Sequence, residues 1–571
     1  MSTVRSWKRA TVALALSALI PGAPVLAQSG RTPAPARRGM VTSGHYLASA
    51  VGTEILRKGG NAVDAAVATA FALAVTLPFA GNVGGGGFLV YHSADGQATA
   101  FNFREKAPIA ATVTMYLDDT GAVRDNSNHA GLLAVGVPGT VAGLALAHRR
   151  LGSRPWRELV QPAVNLAEEG IPTSWADVDF SQWATEHREQ YPTTAKAFAR
   201  NGTTPYQAGE SWKQPELAAT LKRIRDQGRD GFYTGETARL IAAHMRKYGG
   251  LITEEDLATY EAVEQPPIHG TYRGYDVYAM SPPSSGGVGL VEMLNILEGF
   301  ELGAMGHNSA LYLHVLTEAM RRTYADRARY LGDPAFNPDM PIARLISKGF
   351  ARQLREGIDL FRASTSDPAS VATASEGEHT THLSVVDSAG NAVSLTYTLE
   401  AGYGTRIVVE GAGFLLNNEM GDFNAIPGRT DTTGSIGTSP NLVAPGKQML
   451  SSMTPTILAR DGKPVLVIGS PGGRTIINTV LQVVLNVVDH NMNVAQAVEA
   501  GRIHHQWLPD VTRFERFTIS PDTQRLYEMM GHRVSVGGNQ GQAMGIFIDG
   551  ERGLLFGVAD SRGFDGRVVG Y

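Results

Sequence analysis

The sequence predicts an α+β fold, and three observations carry that prediction. Apolar residues recur at helical spacing through most of 140–330, short runs at 88–91, 98–103, 383–387 and 391–398 have strand character, and 65 Gly with 29 Pro supply the turns between them. Hydrophobic residues make up 43% of the 571 and charged ones 18%, enough apolar surface to offset chain entropy and exclude wholesale disorder. Lys plus Arg number 50 against 54 Asp plus Glu, a net charge of -4, which offers no general attraction to phosphate backbones and argues against a nucleic-acid partner. Cys is absent. Thiol nucleophiles, Cys metal sites and disulfides are thereby excluded, and any nucleophile must be an oxygen or an amine.

At the N-terminus Arg5, Lys8 and Arg9 precede the apolar run Ala10 to Ile20, and Pro21 to Pro24 lead to Val25-Leu26-Ala27. This pattern predicts a signal peptide, residues 1–27, and export to the periplasm or medium without a stable membrane anchor, because a spanning helix needs about 20 apolar residues. Gln28 to Arg38 reads as a mature tail or linker. His45 to Arg57 follows as a helix that stops at Gly59-Gly60, and Asn61 then caps a second, Ala62 to Leu77, so rich in Ala and Val that it must be buried nearly all round. Gly84 to Gly87 run into a strand at Phe88 to Tyr91, with another at Ala98 to Phe103; the glycines let neighbouring backbones come close. From Val137 to Leu360 the chain reads as mainly helical, with Thr140 to Arg150, Pro155 to Glu169, Pro215 to Asp226, Thr237 to Tyr248 and Asn308 to Tyr330 as its periodic segments.

Between Ala363 and His379 the periodicity vanishes and Ser, Thr, Ala, Asp and Glu dominate. A strand, the turn Ser388-Ala389-Gly390 and a second strand follow at once. With a three-residue loop Asp387 pairs with Asn391, and the same register sets Thr380 opposite Thr398 on the polar face of the hairpin. Two readings fit those hydroxyls: a Thr-rich solvated sheet face, or a nucleophile with a hydroxyl neighbour. Threonine becomes an effective nucleophile beside a base, and the α-amine of an N-terminal threonine, with a pKa of about 7.7 to 8, is such a base. Cutting the polar stretch between His379 and Thr380 would create it.

The run TTHLSVVDSAGNAVSLTYTLEAGYGTRIVVEGAGFLLNNEMGDF, Thr380 to Phe423, resembles the start of the small subunit of γ-glutamyltranspeptidases, also called glutathione hydrolases. GGNAVDAAVA (Gly59 to Ala68), NVGGGGF (Asn82 to Phe88), FREKAP (Phe103 to Pro108), PPSSGG (Pro282 to Gly287), ADRARYLGDP (Ala325 to Pro334), LSSMTPT (Leu450 to Thr456), GSPGG (Gly469 to Gly473) and HHQWLPD (His504 to Asp510) resemble that family's motifs in its order. The resemblance implies an N-terminal-nucleophile hydrolase: a four-layer αββα sandwich, self-cleaved into a large subunit, 28–379, and a small catalytic one, 380–571, that share one structural domain.

Carried onto this sequence, the resemblance makes Thr380 the nucleophile for self-cleavage at His379-Thr380 and for turnover, with Thr398 hydrogen-bonded to it. Gly472 and Gly473 would form the oxyanion hole, Arg104 with Ser451 and Ser452 would hold a substrate α-carboxylate, and Glu400, Glu419 and Asp422 would surround its α-ammonium. Implied substrates are glutathione and other γ-glutamyl compounds, with water, amino acids or dipeptides as acceptors, and neither metal nor organic cofactor. Two positions depart from the pattern. Glu400 stands where many members carry Asn, and Thr433, in a lid-like segment from Ile426 to Asn441, stands where some carry Tyr, which points toward hydrolysis over transfer. A cephalosporin (glutaryl) acylase and an uncleaved γ-glutamyl-binding relative are the alternatives; the acidic trio argues against the first. Ser470 in Gly-Ser-Pro-Gly-Gly, and the pairs His379/His382 and His504/His505, are read as structural rather than as a nucleophile elbow or metal ligands.

Overall fold

The computed structural model describes residues 31–367, 379–435, 437–563 and 565–571, with the backbone but not the side chain of His379. The predicted signal peptide lies outside these residues. Two seven-stranded sheets stack on each other. The first runs Arg567–Gly570, Met40–Ser43, His379–Val386, Ala392–Glu400, Gly86–His92, Ala98–Phe103, Val263–Gln265, and the second Ala34–Ala36, Leu554–Ala559, Met544–Asp549, Lys463–Gly469, Thr456–Arg460, Tyr275–Ala279, Ile268–Tyr272. Helices cover both outer faces, which makes the predicted αββα sandwich.

The helix Ala62–Thr76 shows how the sequence builds this. Asn61 and Asp64 form a reciprocal capping box at its start, and the hairpin residue Asp387 accepts a hydrogen bond from the Ala62 N–H at 3.0 Å. All fifteen of its residues are buried. One side lies on Leu383, Val385, Leu395 and Tyr397 of the first sheet, the other on the helices Tyr46–Arg57 and Trp156–Glu169. Only small residues permit contact on every side.

The hairpin register is as expected: Thr380 pairs with Thr398 and Val386 with Ala392, Asp387 N–H reaches Asn391 O at 3.0 Å, and Gly390 takes φ 92°. Its polar face is not solvated. Ser384, Ser394 and Thr396 are fully buried against the second sheet. Ser384 donates to Met544 O at 3.0 Å, Ser394 to Ile468 O at 3.0 Å, and Thr42 on the neighbouring strand to Val558 O at 3.1 Å. Hydroxyls on one sheet thus stitch it to adjacent strands of the other, and each of these three buried hydroxyls has a partner.

Two segments differ from the sequence expectation. Within the presumed tail, Ala34–Ala36 is an edge strand paired with Leu555 to Gly557; Pro35 is tolerated because an edge position has no partner to lose on its free side. The middle of the chain also contributes Val263–Gln265, Ile268–Tyr272 and Tyr275–Ala279 to the sheets, runs of three to five residues too short to display a period.

Candidate active site

Thr380 is the second residue of the hairpin strand His379–Val386, just after a register shift. Its Oγ1 is 3.4 Å from Thr398 Oγ1, which accepts a hydrogen bond from the Glu400 N–H at 2.8 Å. The NVGGGGF motif explains how the neighbouring strand fits here. Asn82 Nδ2 donates to Thr398 O at 2.9 Å, and a Cβ on Gly85 would stand 2.0 Å from the same carbonyl. Only glycine admits that approach.

The predicted oxyanion pair sits where the strand Lys463–Gly469 gives way to the helix Thr475–Val488. Gly472 has φ 132° and Gly473 φ 54°. Their carbonyls accept the N–H groups of Thr475 and Ile476, while their own N–H groups donate to no described residue. Unsatisfied N–H groups at the positive end of a helix dipole suit an oxyanion.

Thr380, Thr398 and Gly473 share a pocket of about 20 Å³ with Arg104, Glu400, Glu419, Asp422, Ser451 and Ser452. Every predicted substrate-binding side chain is therefore brought together. Glu419 and Asp422 occupy one 3-10 turn, where residues three apart eclipse, so both carboxylates reach Arg104: Glu419 at 2.5 Å and Asp422 in closer contact. Neither Glu419 oxygen accepts a hydrogen bond from a described residue. Arg104 is itself fully buried. Burial opposes its charge, but Glu419, Asp422 and Glu105 together hold its pKa above the ordinary arginine value. Burial likewise raises Glu419 well above the carboxylate range, against the pull of Arg104, and pushes Glu105 up to about 8.

Behind Ser451 and Ser452 stand residues that the sequence alone does not single out. Ser285 of PPSSGG donates from N and Oγ to Ser451 O, at 2.7 and 2.6 Å. Arg327 of ADRARYLGDP bonds Ser285 Oγ at 2.8 Å and Ser452 Oγ at 3.2 Å. Burial, and then the mutual repulsion of Arg327 and Arg474, lowers Arg327 to about 9. Two separate motifs thus converge on the serine pair of a third. The pocket thus gathers three carboxylates, the Arg104 guanidinium and two serine hydroxyls, a set with both charges that suits a zwitterion.

Comparisons with known proteins show the family. A family model described as gamma-glutamyltranspeptidase matches residues 48–570. The chain belongs to the γ-glutamyltranspeptidase family. It is 46% identical over 544 residues to the glutathione hydrolase proenzyme of Escherichia coli K12, covering 94% of this chain and 93% of that protein. Among solved structures it is similar to the cephalosporin acylase of Bacillus halodurans, with a TM-score of 0.84, 28% identity and coverage of 95% and 98% of the two chains. It is also similar to γ-glutamyltranspeptidase of Helicobacter pylori, with a TM-score of 0.55 and 44% identity over 56% of this chain and 91% of that one.

In this member of the γ-glutamyltranspeptidase family a second cavity, of about 330 Å³, opens on the other side of Thr380. Thr380, Thr381 and Gly472 belong to its wall, with apolar Leu77, Pro78, Phe79 and Tyr403 and charged Asp177, Arg513 and Asp565. The nucleophile therefore stands at the junction of a tight charged pocket and a wide mixed one.

The signals set aside by the sequence reading have structural partners. Ser470 Oγ donates to Pro471 O at 2.7 Å and accepts from the Gln542 N–H at 2.9 Å. His382 meets Thr396 and Ser384, His504 meets Asn478 and Gln506, and His505 meets Asp510. Burial lowers His382 and His504 to about 3, so both rings are neutral. Among the described residues the trio with metal-ligand spacing is His314, Glu318 and His532, whose Glu318 already pairs with Arg321 and Arg322. Thr433 is exposed and bonds Asp431.

Proposed function

We propose that this protein is a self-cleaving γ-glutamyl hydrolase and transferase acting on glutathione and related γ-glutamyl amides. The observation that carries the reading is the place of Thr380, at the junction of the dipolar pocket and the wide cavity, beside the unsatisfied N–H groups of Gly472 and Gly473. An acyl transfer needs that division: the acyl part on one side of the nucleophile and the amine on the other.

In the precursor, Thr380 Oγ attacks the His379 carbonyl, the His379–Thr380 C–N bond breaks, and the resulting ester is hydrolysed. This frees the Thr380 α-amine and divides the chain into 28–379 and 380–571. In turnover that amine takes the Thr380 Oγ proton as the oxygen attacks the γ-carbonyl. Gly472 and Gly473 stabilise the oxyanion, and the amine leaves with the proton through the wide cavity. Water or an amino acid or dipeptide acceptor then resolves the γ-glutamyl ester. The donor is a net-neutral head group: its α-carboxylate takes over Arg104 and its α-ammonium takes over Glu400, Glu419 and Asp422. Export rests on the signal-like pattern at 1–27; no described helix is long and apolar enough to cross a membrane.

A denaturing gel with N-terminal sequencing tests the processing, and release of anilide from γ-glutamyl-p-nitroanilide tests the activity. Two fragments, the smaller beginning at Thr380, and turnover without added metal are expected. An intact chain, or a cut elsewhere, overturns the mechanism. The likeness to a cephalosporin acylase favours a second reading, a glutaryl amidase; faster cleavage of a glutaryl than of a γ-glutamyl amide would establish it instead.

A further inference from the structure

His129, which no motif above includes, stands behind the glutamyl pocket in a turn closed by its N–H to Asn126 O at 2.9 Å. Its ring packs on the bare Cα of Gly421, where a Cβ would come within 2.2 Å of Nδ1. That fixes Nδ1 at 3.1 Å from Glu400 Oε1. The other oxygen, Oε2, accepts from Asn418 Nδ2, which also donates to His129 O at 3.1 Å. Glu400 is held in turn by an unusual backbone, φ 79°, a conformation that side-chain-bearing residues adopt only when their surroundings enforce it. Both oxygens of the carboxylate that stands where many family members carry Asn are thus committed to one small cluster at the pocket wall.

We propose that a proton on His129 competes with the donor's α-ammonium for Glu400, so that His129 is a positioning residue that makes donor affinity depend on pH. This rests on the assignment of Glu400 to the ammonium site. Glu400 and Asp422 face His129, and His129, Asp422 and Arg104 face Glu400. Burial alone would lower the imidazole pKa, but the Glu400 contact and then Asp422 raise it above 6.5. Below that raised pKa the imidazolium occupies Glu400, and an incoming ammonium meets a like charge. Above it His129 is neutral and no longer competes for Glu400, whose own pKa is raised, chiefly by burial. Affinity for a zwitterionic head group therefore rises as pH rises through the His129 pKa, and binding releases a proton from His129. A ligand without the α-amino group gains nothing from that transition.

The test compares competitive inhibition by L-glutamate and by glutarate against γ-glutamyl-p-nitroanilide from pH 6 to 9, in the mature wild-type enzyme and in His129→Gln and His129→Asn. Gln keeps a neutral donor toward Glu400. The L-glutamate inhibition constant of the wild type is expected to fall about fivefold across the range, with no such fall for glutarate and a flattened L-glutamate profile in His129→Gln. Glu400→Gln, which leaves nothing for His129 to hold, should flatten it as well. Equal slopes for the two ligands, or an unchanged L-glutamate slope in both His129 variants, overturns the proposal. Absence of wild-type anilide release would instead overturn the functional reading beneath it. A structural defect in the variants would lower kcat across the range and leave the slope in place.

Discussion

The two spaces that meet at Thr380 are built on opposite plans. On one side lie about 20 Å³ walled by buried charge, each group fixed by a hydrogen bond or an ion pair before any ligand arrives. On the other lie about 330 Å³ of apolar wall with a few charged residues. The first suits one charge pattern, because its three carboxylates and its arginine are already paired in a space with little room to spare, and a ligand must offer both charges to take their place. On the proposed function the second would receive the amine, and strict choice of acyl donor with tolerance of acceptor would follow from where the protein has placed its buried charge.

The largest expected effect removes the junction itself. Thr380→Ala should leave a single uncut chain on a denaturing gel and no anilide release. Next, Arg104→Lys keeps the charge and loses the planar fork, and should lower kcat/KM for the γ-glutamyl donor by about 10² to 10³. The acceptor dependence of transfer should be unaltered. The reverse probe is Phe79→Ala in the wide cavity. It should raise the KM of a dipeptide acceptor by roughly three- to tenfold while donor KM stays within twofold of wild type, and an equal shift in both would show that the two spaces are not independent. The smallest kinetic effect is expected from Ser394→Ala. It strands Ile468 O and the Thr456 N–H between the sheets and should cost about 1–3 kcal/mol of stability in denaturant titration, with kcat unchanged.

Much of the site was legible because local rules fixed it. A three-residue turn sets the register that brings Thr380 to Thr398, and the family motifs placed Arg104, the acidic trio, the serine pair and the glycines. What escaped was whatever depends on partners distant in sequence. Ser384, Ser394 and Thr396 alternate like a wet strand face, and only the second sheet makes them interior. Arg327 read as part of a helix whose apolar stripe suggested core, and its role behind Ser452 arises from a residue 125 positions away. His129 lies 271 residues before Glu400, in a stretch with no period and no motif. The strands within 263–279 were missed for another reason: each is too short for alternation to outweigh the helical pattern around it.

The order of strands in the first sheet has a consequence for the processed molecule. The hairpin 379–400 is flanked by Met40–Ser43 on one edge and Gly86–His92 on the other, both from before the proposed cleavage point, while Arg567–Gly570 pairs with Met40–Ser43. Cutting one peptide bond leaves every one of these pairings intact, so the folded molecule does not register the loss of continuity. The unfolded molecule does: it becomes two chains that diffuse apart. Processing therefore turns a unimolecular folding equilibrium into a bimolecular one, and the mature protein, unlike its precursor, should become less resistant to denaturation on dilution.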